Sequence, residues 1–166
     1  PKVVKQIVLM GGSLGAGNRT PYAEFNIFAD GEAASIVFNS GAPIVMMGLD
    51  VTLQVLLDRE RLDRYSRFSS KTATMFNASM KHYMAACRLH GAEYPAMHDP
   101  CCVAYVADPT IFTTEEHSIE VELKDEERYG KTIALPPTPN KPTLVGMGAD
   151  TSLFWPLLER AFSNLP

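Results

Sequence analysis

Between Asn18 and Asn26 three side chains have the chemistry needed to hold a polyhydroxylated ligand. Glu24 offers acceptors to hydroxyl donors, while Asn18 and Asn26 each offer both a donor and an acceptor, which together match the needs of a sugar. They lie past an apolar run that ends in a glycine turn, at the carboxyl edge of a predicted parallel strand, where open α/β sheets hold their ligands. A plainer reading of the same residues places Asn18 in a left-handed turn and Glu24 in the first turn of a helix. The second group is His98-Asp99. A histidine there can give up a proton near neutral pH. Asp99 can cap the helix that follows, or it can ligate a hard cation such as calcium.

Other residue types point elsewhere or nowhere. Gly11, Gly12, Gly15 and Gly17 do not fall in the G-x-G-x-x-G register of a dinucleotide site, and Pro21 stands where that fold needs a helix. Cys101 and Cys102 lack the C-x-x-C spacing and additional histidine of a zinc set and read as core thiols. His82 and His117 read as solvent-facing, and Met10, Met46 and Met47 as core filler.

These groups need elements to position them. Lys2 to Met10, rich in Val and Ile, reads as a strand covered on both faces. Asp30 caps a helix running to Ser40, with Gly41 as its stop. Ile44 to Met47 is a short buried strand, and Leu53, Leu56 and Leu57 fall at helical spacing ahead of a charged helical face from Asp58 to Arg67. Ser70 to His90 is the longest predicted helix, with Met75, Ala78, Ala85 and Leu89 as its buried stripe and Gly91 as its stop. Asp99 to Ala107 forms another, with Pro100 at its first position. Phe112 to Leu123 and Lys131 to Leu135 form a hairpin. The prolines from Pro136 to Pro142 make an extended linker, Thr143 to Met147 a last strand, and Asp150 or Thr151 caps a final amphipathic helix bearing Leu153, Phe154, Leu157, Leu158 and Phe162. The alternation predicts an α/β fold: an open, mixed, mainly parallel sheet flanked by helices, with a C-terminal hairpin and terminal helix.

With 166 residues, the chain is read as a single domain over residues 1–166. The hydrophobic fraction of 46% and charged fraction of 20% are those of a globular protein, and a net charge of -4 argues against nucleic acid or an anionic membrane as partner. An apolar run of roughly 18 residues and a signal-like leader are both absent. Three cysteines, two of them adjacent, suit a reduced compartment, and the chain is read as cytoplasmic.

The strings MGGSLGAGNRTPYAEFNIFADGEAASIVFNSGAPIVMMGLDVT and MHDPCCVAYVADPTIF closely resemble the inosine-uridine type nucleoside hydrolases, and the resemblance runs from the first strand to the last helix. It implies hydrolysis of the N-glycosidic bond of ribonucleosides to free base and ribose. It further implies that Asn18, Glu24 and Asn26 contact ribose hydroxyls with the Met10 backbone near the sugar, that His98 protonates the leaving base, and that Asp99 ligates a calcium ion. His90 falls near a variable position that contacts the base. The Asp-rich motif that supplies most calcium carboxylates in the family has no counterpart here, so the resemblance is to the C-terminal half of a member and the calcium site is incomplete in this chain. The partners expected are a ribonucleoside, and either further copies of the chain in a homo-oligomer or a missing N-terminal half. The alternative is a non-catalytic module that binds ribose or nucleoside weakly or self-associates.

Overall fold

The computed structural model describes residues 4–89, 91–139 and 142–165. Five strands form one open sheet: β1 (Ile7–Met10), β2 (Ile44–Met47), β3 (Phe112–Val121), β4 (Thr132–Leu135) and β5 (Thr143–Ala149), in the order β1-β2-β5-β3-β4. β1, β2 and β5 are parallel, with Met10 opposite Met47, whereas β3 runs antiparallel to both β5 and β4. The mixed α/β sheet and the hairpin of β3 with β4 are as expected, with parallel and antiparallel ladders equally represented.

The period of two along the strands sorts side chains to two faces. Ile44 and Met46 join Ile27, Phe38, Ile119 and Val145 on one, beneath α1 (Phe25–Ala29) and α2 (Gly31–Phe38). Val45 and Met47 join the larger core on the other, where α3 (Leu49–Thr52), α4 (Arg59–Tyr65), α5 (Lys71–Leu89), α6 (His98–Ala107) and α7 (Thr151–Asn164) gather. There Tyr65 packs against Phe68, Phe76, Trp155 and Phe162. Covered on both faces, β2 is buried throughout, as its unbroken apolar sequence requires.

Several local expectations are corrected. The first strand begins at Ile7 rather than Lys2; of the residues before it, 4–6 are described and lie outside any strand. Leu53 closes the short α3 and Leu56 forms a bridge to Ala96, so the leucines do not share one helix; α4 starts separately, capped by Asp58. In α5 the expected stripe of Met75, Ala78, Ala85 and Leu89 is exposed, Leu89 to 86%. The inward face is instead Ala73, Phe76 and Met80, at the same helical spacing but turned by two positions. The helix expected from Asp99 starts at His98, with Met97 as its N-cap. Asp30 and Asp150 do cap α2 and α7 as expected.

Candidate active site

The loop that leaves β1 is fastened at nearly every peptide. Gly12 N–H donates to Glu24 Oε2 at 3.0 Å, Ser13 N–H to Thr132 Oγ1 at 2.9 Å, Leu14 N–H to Asp50 Oδ2 at 2.8 Å and Gly15 N–H to Ser13 Oγ at 3.1 Å. These amides have side-chain acceptors within the protein, so the loop does not present the open nest of N–H groups that cradles a phosphate. Gly12 adopts φ of 81°, a conformation that favours glycine, and the chain closes so tightly at Gly17 that an added Cβ would lie 2.2 Å from the Ala23 carbonyl oxygen.

Glu24 is the hub. It is only 2% exposed, and besides Gly12 it accepts from Asn26 N–H at 2.8 Å on Oε1 and from Ile27 N–H at 3.1 Å on Oε2, capping α1. The capping role and the proximity to a ligand edge therefore coexist in one carboxylate, and a buried charge is satisfied by three amides. Asn26, exposed on the first turn of α1, sends Nδ2 to the Met10 carbonyl at 3.3 Å and to Met10 Sδ at 3.1 Å. Asn18, also exposed, accepts from Phe25 N–H through Oδ1 at 2.8 Å. Asn18 is not left-handed: among the described residues only glycines have positive φ. Met10, Asn18, Glu24 and Asn26 are thus brought into one connected array at the end of β1. Among the described residues no hydrogen bond engages Asn18 Nδ2 or Asn26 Oδ1, so the array presents one amide donor and one amide acceptor at its surface.

His98 stands at the start of α6, which packs against β1. Its Nδ1 lies 2.8 Å from the hydroxyl of Thr52, a fully buried residue at the end of α3. Burial lowers the His98 pKa from its ordinary 6.5, against the smaller opposing pull of the Asp99 and Glu24 carboxylates, so the imidazole lies within the field of the hub. Thr52 carried no signal as an isolated residue; the string GLDVT directly after a parallel strand was the available clue, because such positions line the ligand edge. Thr132 and Asp50, the remote acceptors of the glycine loop, were likewise missed.

Asp99 is exposed, and with His98 it borders an apolar cavity of about 460 Å³ that Phe76, Met80 and Tyr83 also line. Among the described residues no group of three or more His, Cys, Asp or Glu side chains could hold a metal ion. A calcium site takes six to eight oxygens, so Asp99 and its surroundings do not by themselves fit one. His90 lies outside the described residues. Cys101 is buried and its thiol pushed up to about 12 by burial, with Cys102 at about 11, consistent with core thiols. His82 is exposed, and His117 is half-buried beside Glu115.

Known proteins share this arrangement of sequence and fold. The family model described as inosine-uridine preferring nucleoside hydrolase matches residues 1–156. The pyrimidine-specific ribonucleoside hydrolase RihB of Shigella sonnei is 40% identical over 165 residues, covering 96% of this chain and 52% of that protein. The purine-preferring ribonucleoside hydrolase from Gardnerella vaginalis superposes with a TM-score of 0.87 at 34% identity, over 95% of this chain and 52% of that one. The plant nucleoside hydrolase PpNRh1 gives the same TM-score at 28% identity, over 96% and 54%. The chain spans about half the length of the curated relatives it matches, 52% of RihB. A match of this extent, reaching from the first residue into the C-terminal helix, settles the kinship: the chain belongs to the inosine-uridine preferring nucleoside hydrolase family.

Proposed function

We propose that this chain supplies the sugar-holding wall and the proton donor of an enzyme that hydrolyses the N-glycosidic bond of ribonucleosides to free base and ribose. The observation that carries the proposal is the connected array of Met10, Asn18, Glu24 and Asn26, with His98 in the field of Glu24, in a chain of this family. The relatives include proteins named pyrimidine-specific and purine-preferring, so the proposal extends to the ribonucleoside and its ribose and not to one class of base.

In this reaction the bond between C1′ and the base nitrogen breaks, the oxygen of a water joins C1′, and the departing nitrogen takes a proton. Positive charge builds at the ribosyl centre as the bond breaks, so a proton for the base and acceptors around the sugar both lower the barrier. His98 supplies the proton as the imidazolium: Nδ1–H then donates to Thr52 Oγ1, Nε2–H is left for the departing base nitrogen, and the transfer leaves a neutral ring. The proton lost by the water to solvent balances the one given by His98, which solvent then restores. Asn18 Nδ2 and Asn26 Oδ1 orient ribose hydroxyls, while Glu24 fixes the backbone of Asn26 and Asn18 is tied to the same turn through Phe25 N–H, converting ribose binding into geometry at C1′. Asp99 would supply one carboxylate to a calcium ion, which when bound would orient and acidify the attacking water; the described residues do not by themselves complete such a site.

The test is release of reducing sugar from inosine and from uridine by the 166-residue chain with calcium present. Release that is abolished in the His98→Asn variant is expected; background release from the unaltered chain contradicts hydrolysis by this polypeptide.

A further inference from the structure

Thr132 sits on β4, at the edge of the sheet opposite β1, yet it reaches the loop that follows β1. Its hydroxyl accepts from Ser13 N–H at 2.9 Å and donates to the Ser13 carbonyl at 2.7 Å, so one side chain closes on both main-chain polar groups of a single residue 119 positions away in sequence. Thr132 is 3% exposed and Ser13 equally buried. The contact is therefore dry, and losing it strands a buried donor and a buried acceptor. The next peptide towards β1 is Gly12, held at φ of 81° with its N–H on Glu24. An added Cβ on Gly12 would lie 3.0 Å from the Thr132 methyl, so the threonine also shapes the space into which this peptide turns.

The neighbourhood of the hairpin turn reinforces the latch. Tyr129 accepts from Gly31 N–H at 3.1 Å and donates to Glu32, and its ring meets Phe28 edge-on, while Arg128 and Lys131 flank the Tyr22 ring. These outer contacts bind the hairpin to α1 and α2 and to the segment before them. Thr132 hydrogen-bonds the glycine loop from β4, and its two bonds fix the successive peptide planes on either side of Ser13, the first of which adjoins the one that Glu24 holds.

We propose that Thr132 is a positioning residue for the sugar-holding array: its hydroxyl sets the Gly12–Ser13 backbone so that Gly12 N–H meets Glu24, and Glu24 in turn fixes Asn26 and α1. The inference rests on the reading of this loop as the ribose-holding wall, but its test needs no ligand. In the labelled 166-residue chain, Thr132→Val removes the hydroxyl at nearly constant volume, and Thr132→Ser keeps the hydroxyl and removes the methyl. Amide exchange is followed at Gly12 and Ser13 with Val45 and Met46 of β2 as internal references, together with the carboxyl carbon shift of Glu24. In Thr132→Val, exchange at Gly12 and Ser13 is expected to quicken about tenfold or more relative to the references, with a moved Glu24 signal. In Thr132→Ser both stay at their original values. Unchanged exchange and an unmoved Glu24 signal in Thr132→Val overturn the proposal. If that variant does not fold, Thr132→Ser still decides, because a serine variant that disturbs Gly12 and Glu24 assigns the effect to methyl packing and refutes a role for the hydroxyl. A chain that shows the latch yet binds neither ribose nor inosine refutes the sugar reading and leaves the latch standing.

Discussion

The two walls of the site are built differently. On the β1 side, residues 11–27 are held by carboxylate and hydroxyl acceptors drawn from α3, β4 and the loop itself, and the one buried charge has three amide donors. On the α6 side, His98 has a single hydroxyl partner, Asp99 is exposed, and the neighbouring α5 buries only Ala73 of its nineteen residues. The first wall is preorganised, so a ribose would meet groups already in place and lose little ordering entropy. The second is apolar and lightly held, a surface suited to bases of differing shape. On the proposed reading the first wall would hold ribose and the second would face the base.

The contrast can be broken most severely at Glu24. Glu24→Ala leaves the amides of Gly12, Asn26 and Ile27 without their acceptor, and a loss of about 3 kcal/mol or more in unfolding free energy is expected from urea titration. A loss under about 1 kcal/mol would show that the wall is not organised by this carboxylate. Next comes Phe76→Ala on the inner face of α5, where ring contacts to Tyr65 and Phe162 are lost. A cost of about 2–3 kcal/mol by thermal unfolding is expected, below the full-burial range because the ring is only partly covered.

Acidification sharpens the comparison from the α6 side. Burial holds the folded His98 below its ordinary value of 6.5, so the unfolded chain binds that proton more readily. Its contribution to stability is complete above pH 6.5 and is lost as pH falls through the depressed folded value. Between neutral pH and pH 5 the unaltered chain is expected to lose more unfolding free energy than His98→Asn; equal losses would remove burial of His98 as the cause. The smallest effect belongs to the outer face of α5: Leu89→Lys is expected to change stability by no more than about 0.5 kcal/mol in the same titration, because the side chain is almost fully exposed.

Residues that act through neighbours in sequence were legible. The unbroken apolar run Ile44–Met47 announced a buried strand, and Asp30 and Asp150 announced their helices because an aspartate before an apolar period satisfies free amides. Helix α1 was foreseen only in the plainer reading that put Glu24 in a first helical turn; the glutamate is instead its N-cap, outside the usual capping types, and the helix has five residues. The face of α5 was misplaced because its apolar residues offer two stripes at the same period, and packing against the core, with Tyr65 and the distant Phe162 on Phe76, chooses between them. The candidate ligands Asn18, Glu24, Asn26 and His98 were visible as residue types after a strand and in the family strings. Their supports were not: Thr52 lies 46 positions from His98 and Thr132 lies 119 from Ser13, distances at which only the fold brings hydroxyl and partner together.

The central claim is that the wall from Met10 to Asn26 holds ribose, and the most direct measurement is a titration of the isotopically labelled chain with ribose and with inosine, read at each backbone and carboxamide signal. The account predicts saturable shifts for both ligands at Gly11, Gly12, Glu24 and the side-chain amides of Asn18 and Asn26, with inosine adding shifts at Tyr83 and His98. Shifts confined to α5 and α6, or none on saturation with either ligand, would contradict it.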